Sequence, residues 1–145
     1  MFEMELSVRF SETDGAGHVG NTVMVVWFEE ARGPLFKVFA PTMDIENWPL
    51  ILASYRVDFR AQIFYGPGVT IKTWVKRIGN SSFETYQEAW QSGKCCASGT
   101  TTMVYFDYKA QKTGPIPDAI KEALAAHLLP AEGEANSSQS EQKNN

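Results

Sequence analysis

Residues 23–28 read Val-Met-Val-Val-Trp-Phe, apolar at every position, and this segment limits the folds open to the chain more than any other. Val23, Trp27, Ala31 and Leu35 recur at the i, i+4 spacing of one helical face, and Met24, Val25, Val26 and Phe28 make the other faces apolar too. A helix that is apolar all round has to be enclosed by other elements. Asn21 and Thr22 are good helix-capping residue types, so the helix is expected to begin there. Glu29, Glu30 and Arg32 then bring in charge, which predicts that the helix emerges into solvent. Gly33-Pro34 should break or re-angle it.

The rest of the chain supplies strands to enclose that helix. Leu6, Val8 and Phe10 alternate with Glu5, Ser7 and Arg9, which predicts a strand over 5–10 with one buried face. After Pro49 come four strand-like runs, at about 50–60, 69–78, 83–91 and 95–108. Gly66-Pro67-Gly68, Gly79-Asn80 and Ser92-Gly93-Lys94 provide the turns between them. Short turns between long strands imply an antiparallel meander. Ile120, Leu124 and Leu128 have helical spacing and predict a last helix over 116–128. This α+β order closes most simply as one antiparallel sheet wrapped around the central helix.

Composition narrows the function. A chain of 145 residues is about one domain, and 43% hydrophobic residues can build a core. The formal charge of −4 argues against a general nucleic-acid binder. No apolar run is long enough to span a bilayer, and the first residues show no secretory signal, so a cytoplasmic location is expected. Cys95 and Cys96 are adjacent and would point to opposite faces of a strand, which makes a bond between them unfavourable. With only His18 and His127 elsewhere, they form no zinc spacing, and no metal or redox cofactor is expected. From Pro130 onward the chain is nearly free of apolar residues. The domain is therefore set at 1–129 and a disordered tail at 130–145.

The stretch Val8-Arg9-Phe10-Ser11-Glu12-Thr13-Asp14-Gly15-Ala16-Gly17-His18-Val19-Gly20-Asn21 resembles the signature of acyl-CoA thioesterases of the 4-hydroxybenzoyl-CoA thioesterase type. In that signature a strand ends in an Asp, followed by a glycine-containing loop and a helix carrying Glu-Glu-Ala-Arg. Glu29-Glu30-Ala31-Arg32 matches the last part, and Ile78-Gly79-Asn80-Ser81-Ser82-Phe83 looks like the family's turn between middle strands. The resemblance spans roughly residues 5–107. It departs from the pattern at Gly20, where Asn is common, and at Met24, where an aromatic is common. It implies the hotdog fold, an acyl-CoA substrate whose coenzyme A is part of the substrate, and a homodimer or homotetramer.

Thioester hydrolysis needs a group that attacks or activates water and donors that stabilise charge on the carbonyl oxygen. Under the resemblance Asp14, in a partly closed pocket, takes the first role as general base or nucleophile; as a bare motif it is equally a turn residue. The N–H groups around Gly20 and Asn21, at the positive end of the buried helix, suit the second role. His18 could orient Asp14, contact substrate or be structural, and Asn21 could simply cap the helix. Gly15 and Gly17 would let backbone approach the thioester, with Val19 beside them. Arg32 could pair with Glu29 or Glu30, or with a second subunit. Arg56, Arg60, Lys72, Lys76 and Arg77 are candidates for the coenzyme A phosphates, though exposed strand charges also serve solubility. Ser81 and Ser82 are candidate ligand contacts or plain turn residues. Trp48, between helix and second strand, is the best-placed pocket wall. The competing functions are a hotdog hydratase or dehydratase of acyl thioesters and a non-catalytic acyl-CoA binder. Against the hydratase stands the spacing Asp14-x-x-x-His18 without an intervening Asn-Pro.

Overall fold

Strand and helix periods separate cleanly in the computed structural model, which describes residues 1–130. The expected disordered tail lies, from 131 on, outside the described residues. The strands are β1 (Phe2–Leu6), β2 (Leu50–Phe59), β3 (Val69–Ile78), β4 (Ser82–Gln91), β5 (Lys94–Asp107) and the short β6 (Lys112–Thr113); the helices are α1 (Asn21–Ala31), α2 (Gly33–Phe39) and α3 (Asp118–Ala125). All pairings are antiparallel, in the order β1-β3-β4-β5-β2, with β6 beside the end of β5.

β3 and β4 alternate buried and half-buried positions over most of their length, the period of a strand with one covered face. α1 covers that face. Its Met24, Trp27, Phe28 and Ala31 are buried in one cluster with Val69, Ile71, Ala89 and Ala97. Burying Trp27 and Phe28 contributes roughly 1.5–3 kcal/mol each. The helix approaches β5 closely because Gly99 has no side chain: a Cβ there would sit 2.9 Å from the Phe28 ring. A second cluster, including Leu35, Phe39, Phe83, Ile116 and Leu124, joins α2, α3 and the opposite end of the sheet. Phe39 stacks on Phe83 there, with ring centroids 5.0 Å apart. This is the hotdog arrangement, an antiparallel sheet around a buried helix.

Three expectations need correction. The first strand is Phe2–Leu6, not 5–10, because it pairs with β3 from Phe2↔Thr73 to Leu6↔Val69. Beyond it the chain turns into a 3-10 turn at Phe10–Glu12, leaving Phe10 78% exposed. The C-terminal end of α1 emerges into solvent at Glu29 and Glu30, as expected, but not at Arg32. That residue is only 4% exposed, and it pairs with neither Glu29 nor Glu30: its Nη1 donates to Gln87 Oε1 at 3.1 Å. The last helix is shorter than its apolar spacing, ending at Ala125, with Leu128 bridging to Val75 instead. Gly33-Pro34 does re-angle the chain, with Pro34 in the first turn of α2.

Candidate active site

The loop between β1 and α1 is shaped by its own backbone. The N–H of Asp14 donates to the carbonyl of His18 at 2.8 Å, and the N–H of Gly17 donates to the carbonyl of Asp14 at 3.1 Å. Gly17 has φ +79, a left-handed conformation that glycine adopts at little cost. Its role in the fold is to make this turn. The Asp14 carboxylate is held inside the loop: Oδ1 accepts the N–H of Ala16 at 2.8 Å and of His18 at 3.1 Å. Those two bonds, with a smaller contribution from the His18 charge, hold the Asp14 carboxyl below its ordinary value. Oδ2 has no hydrogen-bond partner among the described residues. Asp14 is exposed rather than enclosed, so in the single chain the expected partly closed pocket is not formed around it.

Glu12 ties this loop to the helix, a role the sequence did not announce. Its Oε2 accepts the Trp27 indole N–H at 2.8 Å and its Oε1 the Arg9 N–H at 2.8 Å. Arg9 Nε stands 3.4 Å from Oε1. Partial burial pushes the Glu12 carboxyl up, but the hydrogen bonds from Arg9 and Trp27 and the Arg9 charge outweigh it, leaving it below its ordinary value. The one available signal was local: an acidic residue three positions after Arg9, closing a short turn.

At the helix start, two readings change. Gly20, not Asn21, occupies the cap position, with φ −66 and ψ 148, and no side chain caps the helix. The Gly20 N–H donates to the Glu12 carbonyl at 3.0 Å, so it is not free to polarise a thioester. The N–H groups of Asn21 and Thr22 find no acceptor outside the helix among the described residues, and neither is far enough into the helix for an i−4 partner. They stand at the positive end of the α1 dipole. A hollow of about 300 Å³ opens beside them, lined by Val19, Gly20, Asn21, Met24, Phe59 and Arg60 among others. Val19 is fixed by its N–H to the Ile63 carbonyl at 2.8 Å. Arg60 reaches this hollow, with Nη2 donating to Ser98 Oγ at 3.2 Å.

The His18 ring meets Phe64 edge-on, with centroids 5.0 Å apart; it is the backbone N–H of His18, not the ring, that holds Asp14. Phe64 and Tyr65 were missed. The Tyr65 N–H donates to the Gly17 carbonyl at 3.2 Å, and Gln91 clamps Phe64 at both its N–H and its carbonyl. An aromatic pair directly before the Gly66-Pro67-Gly68 turn was the signal for them.

Lys76, Arg77, Ser81 and Ser82 are not brought to this site within one chain. β4 pairs Gln91 with Lys94 at the end near Phe64, and Ser82 with Val104 at the other end. Nine residues of strand separate these ends, roughly 30 Å. Arg77 is paired with Glu84 at 3.0 Å, Lys76 stands on the outer face near Arg56 and Asp58, and the Ser81 carbonyl serves the β3–β4 turn by accepting the Tyr105 N–H at 2.8 Å. Cys95 and Cys96 are free thiols on β5. Among the described residues no three His, Cys, Asp or Glu side chains converge as metal ligands would, and no helix is long and apolar enough to cross a membrane.

The sequence profile of the thioesterase-like superfamily matches residues 8–124. The structure is similar to that of a predicted thioesterase from Bacillus stearothermophilus, with 38% identity, a TM-score of 0.86, and 90% of this chain and 98% of that one covered. It is also similar to a Thermus thermophilus thioesterase crystallised with coenzyme A and zinc, with 26% identity, a TM-score of 0.75 and coverage of 86% and 91%. A curated relative, 1,4-dihydroxy-2-naphthoyl-CoA hydrolase of Synechococcus sp. (strain WH7803), is 26% identical over 133 residues, covering 84% of this chain and 87% of its own. The fold, the loop leading into α1 and the extent of the profile match agree: the chain belongs to the thioesterase-like superfamily and is a hotdog-fold thioester hydrolase.

Proposed function

We propose that this protein hydrolyses an acyl-CoA thioester to a free acid and coenzyme A, with Asp14 as the catalytic carboxylate and the N–H groups of Asn21 and Thr22 polarising the thioester carbonyl. The observation that carries this reading is the Asp14 carboxylate itself. One oxygen is fixed by two backbone N–H groups and the other is free, on the loop that feeds the helix end with unpartnered N–H groups. Hydrogen bonds from the Ala16 and His18 N–H groups favour its ionised form. As a base, Asp14 takes a proton from water as the water oxygen attacks the carbonyl carbon. As a nucleophile, its free oxygen forms a mixed anhydride, the C–S bond breaks, coenzyme A leaves as thiolate and takes up a proton, and water then cleaves the anhydride. Arg60, just past the end of β2 and at the same hollow, is the cation best placed to meet a coenzyme A phosphate. The relatives supply the substrate class: one was crystallised with coenzyme A and another hydrolyses an aromatic acyl-CoA.

The exposure of Asp14 supports a homodimer. β2 is an edge strand, paired only with β5, and its Leu52, Tyr55 and Phe59 are 41%, 56% and 51% exposed. An apolar strand edge of this kind is covered by a second copy more readily than left in water. Sedimentation checks this: Tyr55→Lys should shift the protein to monomer and reduce turnover.

The decisive measurement is thiol release from a panel of acyl-CoAs by wild type and by Asp14→Asn. Wild type should turn over at least one member, and the variant should lose about 100-fold or more. Binding without thiol release would establish a non-catalytic acyl-CoA binder. Equal turnover by both proteins would reduce Asp14 to a turn residue. Label in the Asp14 carboxylate after a single turnover in ¹⁸O-water would establish the nucleophilic route with water attacking the Asp14 carbon of the anhydride, and trapping the acyl-enzyme with hydroxylamine tests the same route when water attacks the acyl carbon.

A further inference from the structure

The fold does not require a glycine at position 20. Its φ of −66 and ψ of 148 are open to any residue. A Cβ built there meets nothing closer than the Glu12 carbonyl oxygen and Val23 Cγ2, both at 3.8 Å, which is ordinary contact. Its N–H serves the Glu12 carbonyl, a bond that any residue except proline could make. Capping does not call for glycine either, because Asn, Asp or Ser at this position would accept a helix N–H that Gly20 leaves open. What the glycine supplies is space, and that space lies where the proposed chemistry takes place. Gly20 borders the hollow beside Asn21, and a Cβ on it would stand only a few covalent bonds from the Asn21 nitrogen.

Met24, about one helical turn further on, lines the same hollow. Gly20 and Met24 are the two positions at which the chain departs from the thioesterase signature, with no side chain in place of Asn and a flexible thioether in place of an aromatic. Both stand on the α1 side of the hollow, not at the end of β2 that a second copy would border. Met24, Phe59 and Ile63 give the hollow an apolar wall, which suits the acyl group better than coenzyme A. A thioester oxygen at the usual hydrogen-bond length of about 2.9 Å from the Asn21 nitrogen brings the α-carbon of the acyl group within van der Waals reach of position 20. We infer that Gly20, with Met24 behind it, is the specificity-determining position of this site and keeps room for an acyl group branched at its α-carbon. This rests on the proposed acyl-CoA hydrolysis for the place of the carbonyl, but it concerns which acyl group fits and not how the bond is cleaved.

The test compares two isomers of equal carbon number on the full chain: pivaloyl-CoA, branched at the α-carbon, and pentanoyl-CoA, which is linear. Thiol release is followed with wild type, Gly20→Ala and Gly20→Asn. Dissociation constants are measured by calorimetry in Asp14→Asn with and without Gly20→Ala, where hydrolysis is slowed. The ratio of kcat/KM for pivaloyl-CoA to that for pentanoyl-CoA should fall at least about tenfold in Gly20→Ala, the scale of one methyl group in a fitted pocket, and further in Gly20→Asn. A cap bond made by the new Asn acts on both isomers alike and cancels in the ratio. A shifted ratio of dissociation constants with no thiol release by wild type would uphold the role of Gly20 and sink the proposed hydrolysis. Thiol release with a ratio unchanged in both readouts, or a wild type that cleaves pentanoyl-CoA and leaves pivaloyl-CoA intact, overturns the inference and leaves the proposed hydrolysis standing.

Discussion

The two ends of α1 both meet polar chemistry, and they handle it in opposite ways. At the N-terminal end the polar groups are open. Asp14 is exposed with one free oxygen, and the N–H groups of Asn21 and Thr22 have no partner from the described residues. At the C-terminal end Glu29 and Glu30 are exposed, but the polar groups that face the sheet are buried and linked. Gln87 accepts from Arg32 and donates to the Phe28 carbonyl at 2.9 Å and to Thr73 Oγ1 at 3.0 Å. Open polar groups at a helix start are available to a substrate, whereas a linked buried network fixes the helix on the sheet. Under the proposed function one helix therefore carries reactivity at one end and anchorage at the other, and substitutions should separate the two.

The largest separation is expected from Gln87→Leu set against Asp14→Asn. The leucine leaves Arg32 Nη1, the Thr73 hydroxyl and the Phe28 carbonyl each short of a buried partner. At about 1–3 kcal/mol for each group left unsatisfied, and less than additive, a loss of about 3 kcal/mol is expected. That corresponds to a fall in Tm of roughly 10 °C for a chain of this size. Thiol release by the folded fraction should stay within about threefold of wild type. Asp14→Asn should do the reverse, because its side-chain oxygen still accepts the Ala16 and His18 N–H groups: turnover falls about 100-fold while Tm stays within about 1 °C. A Gln87 variant that loses turnover as Asp14→Asn does would show that the two ends are coupled.

The next effect belongs to Glu12, which connects the Asp14 loop to α1. Gln has the right size but only one acceptor oxygen, so either the Trp27 indole or the Arg9 N–H faces an amide group. Losing one charge-assisted bond of this kind costs about 1.5 kcal/mol. Because Glu12 also fixes Gly20 through its backbone carbonyl, the loss should loosen Asp14 relative to Asn21. A drop of about tenfold in kcat, with KM moving less than about threefold, is the expected result from steady-state kinetics. A change confined to KM would place Glu12 in substrate binding instead.

The legibility of these features in the sequence follows their range. The greasy segment 23–28 announced the helix and its covered face, because periodicity is a property of the segment itself, but not the open side: Val26 is 61% exposed in the single chain and only Met24, Trp27 and Phe28 of the segment are buried. The Asp14–Asn21 stretch was legible as a motif for the same reason, its hydrogen bonds closing within four residues. Arg32 was misread because its two charged neighbours, Glu29 and Glu30, suggested solvent; the partner that its buried guanidinium finds is Gln87, 55 positions away. Lys76 and Arg77 were grouped with the site by charge and Ser81 and Ser82 by resemblance, and within one chain the β3–β4 hairpin carries all four to the far end of the sheet. Gly20 failed as a donor because its N–H meets Glu12, a contact that exists only once the loop has folded back.

The smallest expected effect is the acid dependence of stability, and it also tests the Glu12 anchor. The Glu12 carboxyl lies below its ordinary value in the folded chain because Arg9 and Trp27 hydrogen-bond the ionised form against the opposing effect of burial. A depressed folded pKa means that the unfolded chain binds more protons as pH falls. The stabilisation is therefore fully present above the unfolded value, roughly pH 4.3 for Glu, and is lost as pH falls through the lower folded value. Asp14 and Asp44 are shifted in the same direction, so wild type carries their slope as well. The informative quantity is the difference between wild type and Glu12→Gln in urea unfolding from pH 6 to pH 3. That difference should be constant at the upper end and shrink below about pH 4.3. A difference that does not change over the whole range would mean that Glu12 anchors the loop by packing alone, and that the Trp27 and Arg9 bonds do not distinguish the ionised carboxylate from the neutral acid.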